Sequence, residues 1–306
     1  MITPPIPPFI LAELARVDMI IRERIEPQTV VLRAASHHLV DARATQQRAI
    51  VTLLAAHLGR YDTDQLLHAA AAIELLHLAS LMHDDLIDDA ERRRGMVPMQ
   101  QRWSSDVALM TGDYLLALAA SEMALAPDPR IIASFSQALM AICEGQLAPV
   151  MDVVPFQIAL DQYLFKIGSR SAALFEAGCK AGMVCGGGTV QQIETLGHFG
   201  YDLGLASAMS GDVQTLASDL RRGIITMPLI YAMEASAAPE LRAVLDQNEI
   251  DKDRVDEVVA KIQHVGGVQQ ALEQANTAAR RAVSHLELFA NSPAKEALAD
   301  LANQYM

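Results

Sequence analysis

Residues 73–95 read IELLHLASLMHDDLIDDAERRRG, an apolar stretch that ends in a cluster of charged residues. The carboxylates of Asp84, Asp85, Asp88 and Asp89 fall within six positions of a predicted helix, so they stack in pairs four residues apart. Like charges at that spacing repel each other, so the cluster requires a compensating cation. Carboxylate oxygens on a short helical span suit Mg²⁺, which binds one or two carboxylates together with substrate phosphates.

The basic residues that follow complete a pattern suited to a diphosphate. Arg92, Arg93 and Arg94 come one helical turn later, and the planar guanidinium fork matches phosphate oxygens. The alternative is a solvated helix face with internal ion pairs, the commoner meaning of an arbitrary run of mixed charge. Here the run ends a strongly apolar stretch, residues 73–82, and this context favours a site at the mouth of a cavity.

Composition favours an all-α fold. Of the 306 residues, 51% are hydrophobic and 5% aromatic, and Ala and Leu, two strong helix formers, dominate. Sustained period-2 alternation of Val, Ile and Thr is lacking, which argues against a sheet. The Ala/Leu-rich stretches 50–82, 107–126 and 131–149 indicate buried helices. We expect one all-α domain over residues 1–306, a large helical bundle, with residues 1–10 as an extended arm and residues 238–306 capping it.

Charge and cysteine content limit the function classes. The formal net charge of −13 argues against nucleic-acid binding, which requires a basic surface. We find no run of 18 uncharged apolar residues and no N-terminal basic-plus-apolar signal, so no transmembrane segment is expected. Cys143, Cys179 and Cys185 are widely spaced and lack a metal-ligand pattern. They indicate a reducing compartment, and we expect a cytoplasmic protein.

Five segments occur in an order that is typical of one enzyme family. After residues 73–95 come GDYL at 112–115, EGQ at 144–146, RSAALF at 170–175, and DLRRG with TMPL within 219–229. Together they resemble the trans-isoprenyl diphosphate synthases (polyprenyl synthetases) over about residues 30–235. The first motif is highly specific, and the others support it. The resemblance implies a helical bundle of the isoprenoid synthase type with a central cavity.

The resemblance also implies a reaction. In this family a trinuclear Mg²⁺ cluster binds the diphosphate of an allylic substrate, the C–O bond ionises, isopentenyl diphosphate attacks the allylic cation, and a proton is lost. The implied metal ligands are Asp84, Asp85 and Asp88. The implied substrate-binding residues are His77, Arg93, Arg94, Gln146 and Arg170.

Two of these assignments have alternatives, and a third departs from the family residue. His77 could instead be a core histidine bonded to a backbone carbonyl, and Gln146 could serve helix packing. Arg170 stands where the family usually has Lys, which keeps the charge but changes its geometry.

The second aspartate-rich motif departs from the family pattern. Where the family has FQxxDDxxD, residues 207–215 read SAMSGDVQT, and Asp212 alone remains of the three aspartates as a weak metal ligand. The Lys of the family's DLxxGK is Ile224, and the family's GGKRLRP segment is replaced by DARATQQR at 41–48. These losses affect the second metal site and the allylic-acceptor diphosphate site.

Three functions remain open. The first is an active prenyl diphosphate synthase, which by resemblance pairs as a homodimer through long helices. The second is a catalytically impaired regulatory subunit of a heteromer with an intact synthase. The third is a terpene-cyclase-like enzyme, since Gly211, Asp212, Thr215 and Asp219 resemble the cyclase pattern NDxxSxxxE with Gly in place of Asn.

Product length follows from the helix that carries the first motif. A prenyl tail anchored at Asp84 would run back along it past the chain-length positions Ser80, Ala79, Leu76 and Ile73. Each helical turn covers about 5.4 Å, close to one extended isoprene unit. Short-chain members of the family close this pocket with a bulky aromatic four or five residues before the first Asp. Since both of those positions are small here, we expect a product of C20 or longer.

Overall fold

The secondary structure is helical throughout the residues that the computed structural model describes, and no strand occurs among them. Those residues are 6–42, 46–61, 63–87, 102–126, 128–148, 150, 152–235, 241 and 252–306. The prediction of an all-α fold is therefore confirmed.

The helices are numbered in chain order. The first six are α1 (Leu11–Arg24), α2 (Val30–Ala42), α3 (Gln47–Ala56), α4 (Thr63–Ile87), α5 (Ser105–Met123) and α6 (Pro129–Gln146). Next come α7 (Phe156–Ile167), a π-helical turn (Gly168–Ala172) and α8 (Ala173–Cys185). The last five are α9 (Val190–Arg221), α10 (Met227–Ala235), α11 (Lys252–His264), α12 (Gly267–His285) and α13 (Pro293–Asn303).

The chain forms two compact units, each assembled from separate segments. Unit 1 comprises Met1–Met140, Leu174–Gly200 and His285–Asp300, and unit 2 comprises Ala141–Ala173, Tyr201–Ser284 and Leu301–Met306. In unit 1, α4 packs against α5, α3 and α1. In unit 2, the inner faces of α7, α9, α10, α11 and α12 share one apolar core.

Helix α4 is apolar on almost every side because it lies at the centre of unit 1. Residues 69–73 are completely buried. By length and composition its Thr63–Asp84 segment could cross a membrane, and it is the one such helix among the described residues. However, 78% of its most apolar window is buried within the structure, which is the environment of a core helix.

Glycines set the boundaries between several helices. Stretch 50–82 is divided between α3 and α4 by a turn at Gly59, where a Cβ would lie 2.1 Å from the carbonyl oxygen of Gly186. The glycine triplet at residues 186–188 predicts a helix break. The structure confirms it, since α8 ends at Cys185 and Gly187 adopts a φ of 71°. Both turns therefore depend on the missing side chain.

Two local expectations differ from the structure. Residues Pro8–Ile10 of the expected extended arm form a 3-10 turn, in which the backbone N–H of Ile10 donates to the carbonyl oxygen of Pro7 and the Ile10 side chain is completely buried.

Helices α5 and α6 were expected to be buried, but each buries one face only. Helix α5 leaves Leu109 and Met110 exposed, and α6 leaves Ile132 and Met140 exposed. The apolar residues of these helices therefore outnumber the positions that face the core.

Candidate active site

The first aspartate of the DDxxD motif lies in the last described turn of α4. Its side chain is buried, with Asp84 only 8% exposed. A buried carboxylate is stabilised by a cation or by hydrogen-bond donors. Carboxylate oxygens are the ligands that hard divalent cations prefer, so Asp84 fits a Mg²⁺ ion chemically.

Other members of the first motif lie outside the described residues. These are Asp88, Arg93 and Arg94, and for Asp85 the structure describes the helical backbone but not the side chain. Their assignments as metal ligands and diphosphate contacts therefore stay predictions.

Helix α4 is fixed against α3 by a buried carboxylate. Oε1 of Glu74 accepts a 2.9 Å hydrogen bond from the backbone N–H of Ala49, in the first turn of α3. That turn lacks a side-chain cap from its own N-cap residue, so Glu74 satisfies one of its free N–H groups. One turn further along α4, His77 is buried, and its carbonyl oxygen accepts a hydrogen bond from Oγ of Ser80.

The predicted chain-length positions lie together in the core of unit 1. Ile73, Leu76 and Ala79 are at most 1% exposed, and Ser80 is 8% exposed. Ile73 lies beside α8, where a Cβ at Gly178 would be 3.7 Å from its Cγ2. Of these positions, 79 and 80 carry small side chains and lie nearest to Asp84 along α4, and the open pocket beside them stays a prediction.

The GDYL segment contacts the first motif through a residue that sequence reasoning missed. The ring of His83 lies against Gly112 of α5, where a Cβ would be 2.4 Å from Nε2. The same Nε2 is 3.3 Å from Oδ1 of Asp113. Glycine at 112 therefore makes room for the residue that immediately precedes Asp84. The available signal was the Gly-Asp pair itself, because a glycine inside a helix usually has a packing reason.

In unit 2 the EGQ segment meets the turn that carries Arg170. A Cβ at Gly145 would lie 2.4 Å from Cβ of Ser169 and 3.3 Å from Cγ of Arg170. The neighbouring Gln146 has both amide atoms buried without a hydrogen-bond partner among the described residues. Arg170 stands in the π-helical turn, a feature frequently found at functional sites. The structure thus brings two predicted substrate-binding residues into one region of unit 2.

The remaining aspartate of the second motif has a partner that the sequence did not reveal. The phenol of Tyr163 on α7 donates a 2.6 Å hydrogen bond to Oδ2 of Asp212 on α9. The pKa of Asp212 is raised to about 7, chiefly by burial and also by the charge of Asp219. The hydrogen bond from Tyr163 and the charges of Arg170 and Lys166 act in the opposite direction. Asp212 therefore belongs to a cluster of interacting groups rather than to a set of exposed ligands.

The neighbouring residues of α9 also interact with each other. Oγ1 of Thr215 donates a 2.6 Å hydrogen bond to Oδ2 of Asp219, four residues later. Gly211 and Thr215 occupy the positions where the resembled motif has its other two aspartates, so neither supplies a carboxylate. Across the described residues, no group of three or more His, Cys, Asp and Glu is arranged to hold a metal ion.

Comparison with known proteins defines the class. Residues 29–262 match the family model described as polyprenyl synthetase. The chain belongs to this family, as its motifs predicted.

Individual relatives cover almost the whole chain. The chain is 29% identical over 305 residues to heptaprenyl diphosphate synthase component 2 of Geobacillus stearothermophilus, with 96% of this chain and 95% of the relative covered. It is 30% identical to nonaprenyl diphosphate synthase of Mycobacterium tuberculosis, with 95% and 90% covered. A polyprenyl synthase from Caulobacter crescentus, crystallised with calcium and isoprenyl diphosphate, superposes with a TM-score of 0.92 at 28% identity, with 97% and 95% covered.

These relatives confirm the predicted fold type and the predicted enzyme class, a prenyltransferase of the polyprenyl diphosphate synthase kind. They also confirm at the family level that such enzymes act on prenyl diphosphates with a divalent metal.

Proposed function

We propose that this chain condenses an allylic prenyl diphosphate with isopentenyl diphosphate, in a Mg²⁺-dependent reaction, to give a polyprenyl diphosphate of C20 or longer. The observation that carries the proposal is the buried Asp84 carboxylate at the end of α4, in a chain of the polyprenyl synthetase family. Bound Mg²⁺ would draw charge from the diphosphate as it leaves.

The chain's own residues would bind and orient the substrates. Asp84, with Asp85 and Asp88, would hold the metal. Arg93 and Arg94 would bind the allylic diphosphate, and His77 would help to bind the acceptor. In unit 2, Arg170 would contact phosphate, and Gln146 offers an amide with unused donors and acceptors.

The apolar face of α4 would receive the growing chain. Ala79 and Ser80 are small, and Leu76 and Ile73 would be the next barriers below them. Apolar walls exclude water, so an allylic cation would react with isopentenyl diphosphate before water could attack it.

One experiment tests the proposal against its two alternatives. The purified chain is incubated with Mg²⁺, isopentenyl diphosphate and each allylic diphosphate in turn, and the products are separated by chromatography. An elongated diphosphate is the expected result. A hydrocarbon or alcohol would favour a cyclase-like enzyme. Absence of product would reject independent catalysis.

Each of the two alternative functions is supported by one observation. Relatives named as component 2 of heptaprenyl diphosphate synthase support a heteromeric subunit, which would become active only when an intact synthase is added. The hydrogen bond between Thr215 and Asp219 places two residues of the cyclase-like pattern on one face of α9, which supports the cyclase-like candidate.

We also propose that the protein is a homodimer. Large apolar side chains are exposed on α5, at Leu109 and Met110, and on α6, at Ile132 and Met140. Contiguous exposed apolar residues mark interaction surfaces, so these two consecutive helices are the candidate interface. Sedimentation equilibrium should give twice the mass of one chain, and a concentration-independent monomer mass would reject the dimer.

A further inference from the structure

The π-helical turn that carries Arg170 is in close contact with a neighbouring helix on each of two sides. Within the turn, Gly168 lies against α9, where a Cβ would be 2.4 Å from the phenol oxygen of Tyr201. The next residue, Ser169, lies against Gly145 in the last turn of α6, where a Cβ would be 2.4 Å from Cβ of Ser169. Both contacts belong to unit 2. Each exists because one of its partners is glycine.

The turn determines the direction in which Arg170 leaves the backbone. The N–H of Ala173 donates a hydrogen bond to the carbonyl oxygen of Gly168, five residues earlier, whereas an α-helix pairs residues four apart. The extra residue rotates the side chains that follow it by about 100° around the helix axis, relative to an uninterrupted α-helix. The direction of Arg170 therefore depends on how this turn is held, and not on α7 alone.

Gly145 also borders the stem of Arg170. A Cβ at position 145 would lie 3.3 Å from Cγ of Arg170 and 3.4 Å from its backbone nitrogen. An alanine there would push the turn and the arginine stem away from α6 together. Gln146 follows directly in sequence, and both of its amide atoms are buried without a hydrogen-bond partner among the described residues. Gly145 therefore determines the spacing between the segment that carries Gln146 and the turn that carries Arg170.

We propose that Gly145 and Gly168 are positioning residues for diphosphate binding. By admitting Ser169 and Tyr201, they hold the π-helical turn at the spacing from which Arg170 reaches a substrate diphosphate. This inference rests on the proposed function, in which Arg170 contacts phosphate. It deepens that function, because it gives the two glycines an effect on affinity that helix packing alone would not produce.

The test measures the affinity of the chain for inorganic diphosphate in the presence of Mg²⁺, by isothermal titration calorimetry. Arg170→Gln should weaken binding about tenfold, the size expected for the loss of one hydrogen bond between charged groups. Gly145→Ala should weaken it at least about threefold, because affinity depends on the placement of the guanidinium. Adding Ser169→Gly to Gly145→Ala removes the nearest atom and should restore most of the lost affinity.

A double-mutant cycle separates positioning from general damage. Gly145→Ala should have no further effect on affinity in the Arg170→Gln background, since the guanidinium that it displaces is already absent. If Gly145→Ala does not fold, Gly168→Ala tests the turn from its other side. Tyr201→Phe removes the phenol oxygen nearest to the new Cβ and should restore the affinity of Gly168→Ala.

A glycine elsewhere in unit 2 provides the matched control. Gly267 begins α12, and a Cβ there would lie 2.3 Å from the carbonyl oxygen of Pro228 in α10. Gly267→Ala should therefore lower the free energy of unfolding, measured by urea titration, and leave the affinity for diphosphate unchanged.

Three results would overturn the inference. They are an unchanged affinity in Gly145→Ala, an equal loss in the Arg170→Gln background, and an equal loss in Gly267→Ala. An unchanged affinity in Arg170→Gln would remove Arg170 from the diphosphate site, and the inference would fail with it. The proposed function is tested separately: an unmodified chain that binds diphosphate but forms no prenyl product would reject the condensation, whereas the affinities of the glycine variants still decide the inference.

Discussion

The phenol of Tyr163 donates a 2.6 Å hydrogen bond to Oδ2 of Asp212, a residue 49 positions away in sequence, and so joins α7 to α9. Tyr163 is almost completely buried, and burial together with the charges of Asp212 and Asp219 raises its pKa well above the ordinary value. The phenol therefore keeps its proton and remains a donor. Asp212 is the one aspartate that remains of the second motif, and this hydrogen bond makes it part of the packing of unit 2.

Removal of this hydrogen bond should destabilise the protein. Tyr163→Phe keeps the ring but leaves Asp212 without its donor, and hydrogen bonds to charged groups contribute about 1.5–3 kcal/mol. We expect a loss of that size in the free energy of unfolding, measured by urea titration at pH 8, where Asp212 is charged. Tyr231→Phe is the matched control in the same unit, because its ring packs edge-on against Phe156. A similar loss in both variants would show that the Asp212 contact has no special contribution.

Asp212 should give the stability a distinctive pH dependence. Its pKa is raised from 3.8 to about 7, so between these values the folded chain holds a proton that the unfolded chain has released. Protonated Asp212 therefore stabilises the folded chain below pH 3.8, and this stabilisation is lost as the pH rises through about 7. The loss amounts to up to about 4 kcal/mol of the free energy of unfolding.

The measurement is thermal unfolding in metal-free buffer between pH 5 and pH 8. Asp212→Asn cannot titrate, so it should be less sensitive to rising pH than the unmodified chain. Tyr163→Phe removes a contact that lowers the pKa, so its loss of stability should move to higher pH. Identical pH profiles for the unmodified chain and Asp212→Asn would refute the assignment.

The close contact of His83 with Gly112 predicts a costly substitution on α5. Gly112→Ala would place a Cβ 2.4 Å from Nε2 of His83, and overpacking of this kind costs typically about 1–3 kcal/mol. Gly211→Ala is the matched control, since no atom lies within 4 Å of its Cβ position in α9. It should raise stability by about 0.5–1 kcal/mol because alanine favours helix. Urea titration of both variants compares them; equal effects would exclude a steric role for His83.

The small side chain of Ala79 predicts a long prenyl product. Ala79→Phe would place a large ring on α4, about one turn before Asp84. The product should become shorter by at least one isoprene unit, while Gly211→Ala should leave it unchanged. Chromatography of the prenyl products measures this. An unmodified protein whose product is no longer than C15, or an unchanged product in Ala79→Phe, would show that the tail does not follow this face.

The sequence predicted those features that depend on neighbouring residues. The apolar stretch before Asp84 indicated a buried helix, and α4 is the core helix of unit 1. The glycine triplet indicated a break, and α8 ends there. In both cases the signal lies within a few residues, because helix burial and helix termination are determined locally.

Contacts between distant residues could not be predicted in this way. The spacing of Tyr163 and Asp212 in the sequence does not predict that they meet. Likewise, the residues around Gly182 do not predict that a Cβ there would lie 2.1 Å from the carbonyl oxygen of Thr52. Such pairs depend on how helices pack. The metal and diphosphate chemistry of residues 84–94 was predicted from their charge pattern and stays a prediction, since most of these side chains lie outside the described residues.

The central claim is that Asp84 supports Mg²⁺-dependent condensation, and its most direct test is product formation as a function of Mg²⁺ concentration. Asp84→Asn removes one charge and should lower the rate with isopentenyl diphosphate and an allylic diphosphate by at least about 100-fold, a loss of roughly 2.7 kcal/mol of transition-state stabilisation. Asp106→Asn, at an exposed position of α5, should retain the unmodified rate. Equal rates for Asp84→Asn and the unmodified chain at every Mg²⁺ concentration would contradict the account.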